Sequence, residues 1–257
     1  MKHLIETFTL LVIFLSSHTA QAQESYVVKG NSVNIRETPN SAGKVLGRIS
    51  GGEVVSVTNS SNSEWWLISY YGTEGYISSK YLIRLEESGK YKGYEKVSAN
   101  TGDSPNCENI KPKYDDSLDN QLLIHAGNNE DVVVKVMNYS TCIRVVYIHA
   151  GDSYAIKNIP EGIYYLKIAY GKDYRQYTTA DGNCNIEFVS DAVYEIGSDK
   201  LDYYRESKPD TYEGNYVVHH WSLPSFELSL DVNFSKGGSG GGSHFHSNKT
   251  SKKEFNN

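Results

Sequence analysis

Val33 and Ile35 alternate with Asn34 and Arg36, and this two-residue period opens a series of short segments of the same kind. On an extended backbone successive side chains point to opposite faces, so the alternation predicts strands. The turn Glu37-Thr38-Pro39-Asn40 ends the first of them. Val45, Leu46 and Ile49 form the next apolar set, and Gly51-Gly52 makes a turn that needs positive φ. Val54, Val55 and Val57 carry the following strand, and residues 59–63 are a polar loop. Residues 65–70 predict another strand, turned by Tyr71-Gly72-Thr73-Glu74 into Gly75-Tyr76-Ile77. Five or six short strands within about 60 residues predict a small closed barrel.

Alternation returns from Leu122. Val132, Val134 and Val136 face one way, and Val133, Lys135 and Met137 the other. A turn at residues 138–141 leads into a return strand over 142–148, and Ala150-Gly151-Asp152-Ser153 turns into Tyr154-Ala155-Ile156. Ile159-Pro160-Glu161-Gly162 then precedes a Tyr-rich run over 164–171, with further strands predicted at 194–196, 216–220 and 226–230. Helical periodicity is not sustained over eleven residues anywhere, so the expected class is all-β.

These textures divide the chain. Residues 25–85 are the barrel, 86–117 a polar linker, and 118–234 a β-sandwich. Residues 235–257 are Gly/Ser-rich and then basic at Lys249, Lys252 and Lys253, which predicts a disordered tail. The first 22 residues have the form of a signal peptide. Lys2 and His3 precede an apolar run over 8–15, and Ala20-Gln21-Ala22 supplies a cleavage site. That run is too short for a bilayer, which takes ~20 residues, so no transmembrane anchor is expected after cleavage. The expected location is exported: periplasm, cell surface or secreted.

Charge and composition narrow the partners. A net charge of −6 gains nothing from polyphosphate, which argues against nucleic acid. The chain holds 21 Tyr against 7 Phe, a bias that suits half-wet strands and surfaces that bind sugars or peptides. After export an oxidising compartment permits one disulfide among Cys107, Cys142 and Cys184. Cys142 and Cys184 share the second domain and are the favoured pair. No C-x-x-C occurs, and no cofactor or metal is implied.

Val33-Asn34-Ile35-Arg36, Pro39, Lys44-Val45-Leu46-Gly47, Gly51-Gly52, Trp65-Trp66, Gly75-Tyr76-Ile77-Ser78 and Tyr81-Leu82 together resemble the bacterial SH3 (SH3b) pattern. Glu37-Thr38 departs from the family's usual Ser-Gly before Pro. The resemblance implies an SH3-like barrel that binds a cell-wall polymer, peptidoglycan among them; the alternative is that exposed sheet edges and aromatic grooves recruit an envelope protein. Trp65 and Trp66 are neighbours on a strand, so one faces the core and the other can line a groove. The family pattern makes Trp65 the groove residue, with Arg36, Tyr70, Tyr71 and Tyr76 near it. Residues 130–171 resemble the transthyretin-like or carboxypeptidase-regulatory β-sandwich, which implies a non-catalytic scaffold or interaction module.

Catalytic alternatives fit less well. Ile124-His125-Ala126-Gly127 with Ser140-Thr141-Cys142-Ile143-Arg144 is partly similar to a cysteine transpeptidase motif, but the His and Gly expected directly before the Cys are absent. Arg144 can offer charge to a thiolate but not a base. A Cys/His peptidase needs a helix after its nucleophile, and none is predicted. His219 and His220 are adjacent and diverge on a strand, which places no metal site. The expected protein is therefore a binder with no catalytic residues.

Overall fold

The computed structural model describes residues 24–105, 110–180, 182, 184–232 and 246–257. The signal peptide expected at 1–22 lies outside them. Seven strands build the barrel: β1 (Glu24–Val28), β2 (Ser32–Arg36), β3 (Val45–Ser50), β4 (Val54–Asn59), β5 (Trp65–Tyr70), β6 (Thr73–Ser78) and β7 (Leu82–Arg84), in the order β3-β2-β6-β5-β4-β1-β7. Alternate residues of each strand point inward, so Val28, Val33, Ile35, Ile49, Val55, Ile68 and Ile77 form one core.

A short helix, α1 (Leu85–Ser88), leaves the barrel, followed by β8 (Glu95–Lys96). The second unit is built from β9 (Gln121–Ala126), β10 (Asp131–Asn138), β11 (Thr141–Ile148), β12 (Ser153–Lys157), β13 (Ile163–Thr178), β14 (Cys184–Gly197), β15 (Leu201–Asp202), β16 (Glu206–Glu213), β17 (Tyr216–Ser222), β18 (Phe226–Leu230) and β19 (Ser247–Lys249), with α2 (Lys252–Asn256) at the end. One sheet runs β11-β10-β13-β14-β19 and the other β12-β9-β18, with β18 parallel to β9. Val132, Val134 and Val136 meet Leu122, Ile124 and Ile156 between the sheets. The fold is all-β in its body, a barrel followed by a sandwich.

Both faces of β10 are buried, not one. Val133 joins a second core with Val145, Tyr147, Tyr174 and Phe188 on the outer face of the larger sheet. Two segments that looked like polar filler cover that face. Of residues 86–117, those described are not a free linker. Lys96 pairs with Arg175, Gly102 N donates to Tyr147 O at 2.9 Å, Tyr147 N donates to Asp103 O at 2.8 Å, and Lys113 N donates to Ile143 O at 3.0 Å. The bonds to Tyr147 and Ile143 occupy the outer edge of β11, whose backbone groups would otherwise be unpaired, while Lys96 extends the sheet along β13. Backbone pairing needs no apolar side chains, so it leaves no hydrophobic pattern.

The disordered tail is corrected in the same way for residues 246–257, while 233–245 lie outside the described residues. Strand β19 pairs with β14, and Ser251 caps α2 by accepting from Glu254 N at 3.1 Å. Phe255 is fully buried, 5.4 Å from the Tyr194 ring. Lys135 Nζ donates to Phe255 O at 2.9 Å, and Lys167 Nζ to Glu254 O at 2.7 Å. The carbonyls at the end of α2 thus give two enclosed ammonium groups their acceptors. Burial holds Lys135 down at about 8.

The expected Cys142–Cys184 disulfide does not form. Cys142 is a free thiol, and its Sγ meets Arg144 O at 3.1 Å. Cys184 is disulfide-bonded, and Cys107 lies outside the described residues. Cys142 pairs with Met137, which is level with Tyr165 at one end of β13, whereas Cys184 pairs with Thr178 at the other end. With β10 and β13 between them as well, the two are far beyond the ~4.4–6.8 Å Cα separation a disulfide takes. Shared domain membership is too weak a guide to pairing.

Barrel and sandwich are joined by packing. Val27, Val54, Leu85 and Val189 form a small interdomain core. Ser56 Oγ and Ser190 Oγ share a buried hydrogen bond of 2.8 Å, and Arg175 bridges Glu86 and Asp173 at 3.0 Å each. Strands β13 and β14 slip register near Gly171, where an added Cβ would come within 2.5 Å of Phe188 Cβ.

Candidate functional site

The outer face of the β2-β6-β5 sheet carries the barrel's candidate groove. Tyr76 pairs with Leu67 on one side and Arg36 on the other, so these three side chains share a face. Trp65 alternates with Trp66 along β5 and lies on the same side as Leu67. Trp66 packs against the core and meets Tyr26 edge-on at 5.1 Å. The Arg36 guanidinium donates to Gly43 O at 2.7 Å and so anchors the loop between β2 and β3. Val45, opposite Arg36, extends the patch and is 42% exposed.

Of the five residues expected to line a groove, this geometry gathers Trp65, Arg36 and Tyr76. Tyr70 points the other way, toward the barrel core, and its ring meets Tyr71 edge-on at 4.8 Å. Tyr71 occupies the β5–β6 turn at φ 44° and is drawn to the sandwich, where its N–H donates to Asp191 Oδ1 at 2.7 Å. Both departures follow from strand parity and from the docking of that turn. Leu67 and Val45 were missed as patch residues, although their alternation with core positions carried the signal.

A second arrangement has the look of catalytic chemistry. His125 Nδ1 lies 2.6 Å from Ser153 Oγ, and Nε2 lies 2.8 Å from Glu227 Oε1. Ser153 on β12 is directly opposite His125 on β9, and Glu227 reaches it from β18, two residues before the position opposite, on an exposed face. Strand β9 is hydrogen-bonded on both sides, so its own amides are committed to ladders. The line is a cross-strand polar ladder. The described cysteines offer no better nucleophile: Cys142 stands within β11 and Cys184 opens β14, and burial pushes the Cys142 thiol up.

Among the described residues, no group of three His, Cys, Asp or Glu is placed to hold a metal ion. His219 and His220 diverge as expected, the first to Asp210 at 3.0 Å and the second to Thr211 at 2.7 Å. No helix among the described residues is long and apolar enough to cross a membrane.

Residues 31–83 match the family model of the bacterial SH3 domain. The chain is also 30% identical over 69 residues to the uncharacterized protein YfhK of Bacillus subtilis (strain 168). That alignment covers 27% of this chain and 40% of the relative, so well under two thirds of the relative is spanned.

Proposed function

We propose, with the bacterial SH3 domain at residues 31–83 as premise, that this is a non-catalytic exported protein that binds a cell-envelope polymer such as peptidoglycan. The observation that carries the reading is the face shared by Trp65, Leu67, Tyr76 and Arg36. Trp65 pairs with Ser78 and Tyr70 with Thr73, so the tryptophan stands at the opposite end of the β5–β6 hairpin from the turn held by Asp191. A tryptophan and a tyrosine beside a guanidinium offer ring faces for a sugar and donors for its oxygens. The sandwich is rigidly carried cargo in this reading, and its role is to hold or present the barrel.

Co-sedimentation of the mature chain with purified peptidoglycan sacculi tests it. The wild type pellets, Trp65→Ala stays in the supernatant, and Tyr71→Ala still pellets. Retention of Trp65→Ala would remove this face from the account. A second reading has its own observation. The β16–β17 hairpin projects exposed along its length, with Tyr212 at 77% and Trp221 at 50% exposure, and favours a protein partner in an envelope assembly. Failure of every form to pellet would move the weight there.

A further inference from the structure

Where the β5–β6 turn meets the sandwich, a cleft of about 600 Å³ lies between Ser69, Thr73 and Glu74 of the barrel and Glu130, Lys172 and Asp231 of the sandwich. Its charges do not balance. Lys172 Nζ lies 3.4 Å from Glu130 Oε1 and 3.4 Å from Asp191 Oδ2, one cation divided between two buried carboxylates. The other Asp191 oxygen accepts from Tyr71 N. The other Glu130 oxygen, Oε2, is buried with no partner among the described residues, and the residue is only 5% exposed. Burial and the neighbouring Asp191 and Asp131 raise the Glu130 carboxyl to about 8, against the pull of Lys172. At neutral pH the group therefore keeps its proton, and a buried, half-paired carboxylate forms there only when a cationic donor reaches it.

We propose that this cleft is a second binding site, which takes the primary ammonium group of a hydrophilic ligand at Glu130. An ammonium carries the missing charge and three rotatable donors, which suit acceptors that are not arranged as a metal shell. Among the described residues no set of three metal-ligating side chains exists here. Hydroxyl and amide groups of Ser69, Thr73 and Asn129 line the same cleft and suit a polar ligand body. The ammonium can come from an amino sugar or from a lysine-type side chain. The cleft lies at the turn end of the β5–β6 hairpin and shares no lining residue with Trp65, Leu67, Tyr76 and Arg36, so Glu130 can be tested apart from them.

Isothermal titration of the full mature chain at neutral pH decides the matter, with glucosamine against N-acetylglucosamine, and Nα-acetyl-lysine amide against its Nε-acetylated analogue. At least one free amine binds roughly tenfold or more tighter than its acetylated partner. Its heat varies with the buffer's ionisation enthalpy, because binding ionises Glu130 and releases a proton. The responding pair identifies the source as sugar or lysine-type amine. Glu130→Gln abolishes proton release and the preference for the free amine, whereas Trp65→Ala retains both. Should Glu130→Gln fail to fold, proton release by the wild type still decides. Equal affinity for acetylated and free forms, or no binding of either amine, overturns the proposal.

Discussion

The hydroxyls of Ser56 and Ser190 meet at 2.8 Å in a buried hydrogen bond between groups 134 residues apart in the chain. Ser56 belongs to the barrel and Ser190 to the sandwich, so the barrel is held in a set orientation by its neighbour. Ser56→Ala leaves the Ser190 hydroxyl buried without that partner, a loss of about 1–3 kcal/mol. We expect a lower melting temperature in calorimetry and faster hydrogen exchange at residues 189–192. Unchanged values of both would show that the contact does not hold the two units together.

Among the described residues 246–257, Phe255 is the single large apolar side chain that is buried. Phe255→Ala costs about 3–5 kcal/mol of packing, a loss of the same order as the three backbone pairs of β19 contribute. The segment is expected to detach, which exposes residues 195–197 of β14 to exchange and the chain end to protease. Protection equal to the wild type would refute the anchoring role.

Gly171 sits where β13 turns against β14, and a Cβ there meets Phe188 Cβ at 2.5 Å and Ser190 O at 2.9 Å. Neither is the free end of a flexible side chain. Gly171→Ala should therefore destabilise by at least about 2 kcal/mol, read as a shifted urea midpoint. A midpoint within error of the wild type would mean the strands separate more easily than their packing implies.

The raised Glu130 carboxyl predicts a pH dependence of stability. The folded state keeps this proton up to about 8, while the unfolded chain releases it near the usual 4.5. Between those values the folded state binds more protons, so this group's contribution falls as pH rises, by roughly 1.4 kcal/mol per pH unit at its steepest. Glu130→Gln lacks that loss. Its stability relative to wild type should climb across the window and level off above it, as measured by urea titrations. A flat difference would place the carboxyl near its ordinary value.

If the Ser153–His125–Glu227 line is a ladder and not a catalytic triad, a fluorophosphonate probe leaves Ser153 unmodified. Mass spectrometry of the treated native protein checks this. Stoichiometric labelling that is lost in His125→Ala would reopen hydrolytic chemistry.

Much of the barrel was legible because its residues obey a simple parity. Val33, Ile35, Ile68 and Ile77 point inward, and the Gly-rich turns between them admit few alternatives. The same parity separates Trp65 from Trp66, but it was not carried on to Tyr70, which shares Trp66's side. Tyr71 was illegible in principle, since residues far away in the chain, Asp191 and Ala192 among them, explain where it goes. Residues 86–117 and 246–257 were misread for a common reason. Their attachment runs through backbone hydrogen bonds, scattered side-chain contacts such as Lys135 to Phe255 O and Lys252 to Glu187, and isolated apolar residues such as Val97, Ile110 and Phe255, none of which makes a periodic pattern.

By itself the sequence determined the all-β class, the inward positions of the barrel and the alternation that becomes the sandwich core. These depend on neighbours one or two residues away, where the two-residue period of an extended backbone governs side-chain direction. The tertiary structure alone decided that both faces of β10 are buried, that Cys142 stays a free thiol, and that barrel and sandwich enclose a cleft with a half-paired carboxylate. Those outcomes depend on which distant strands become neighbours, and local periodicity carries no information about that choice.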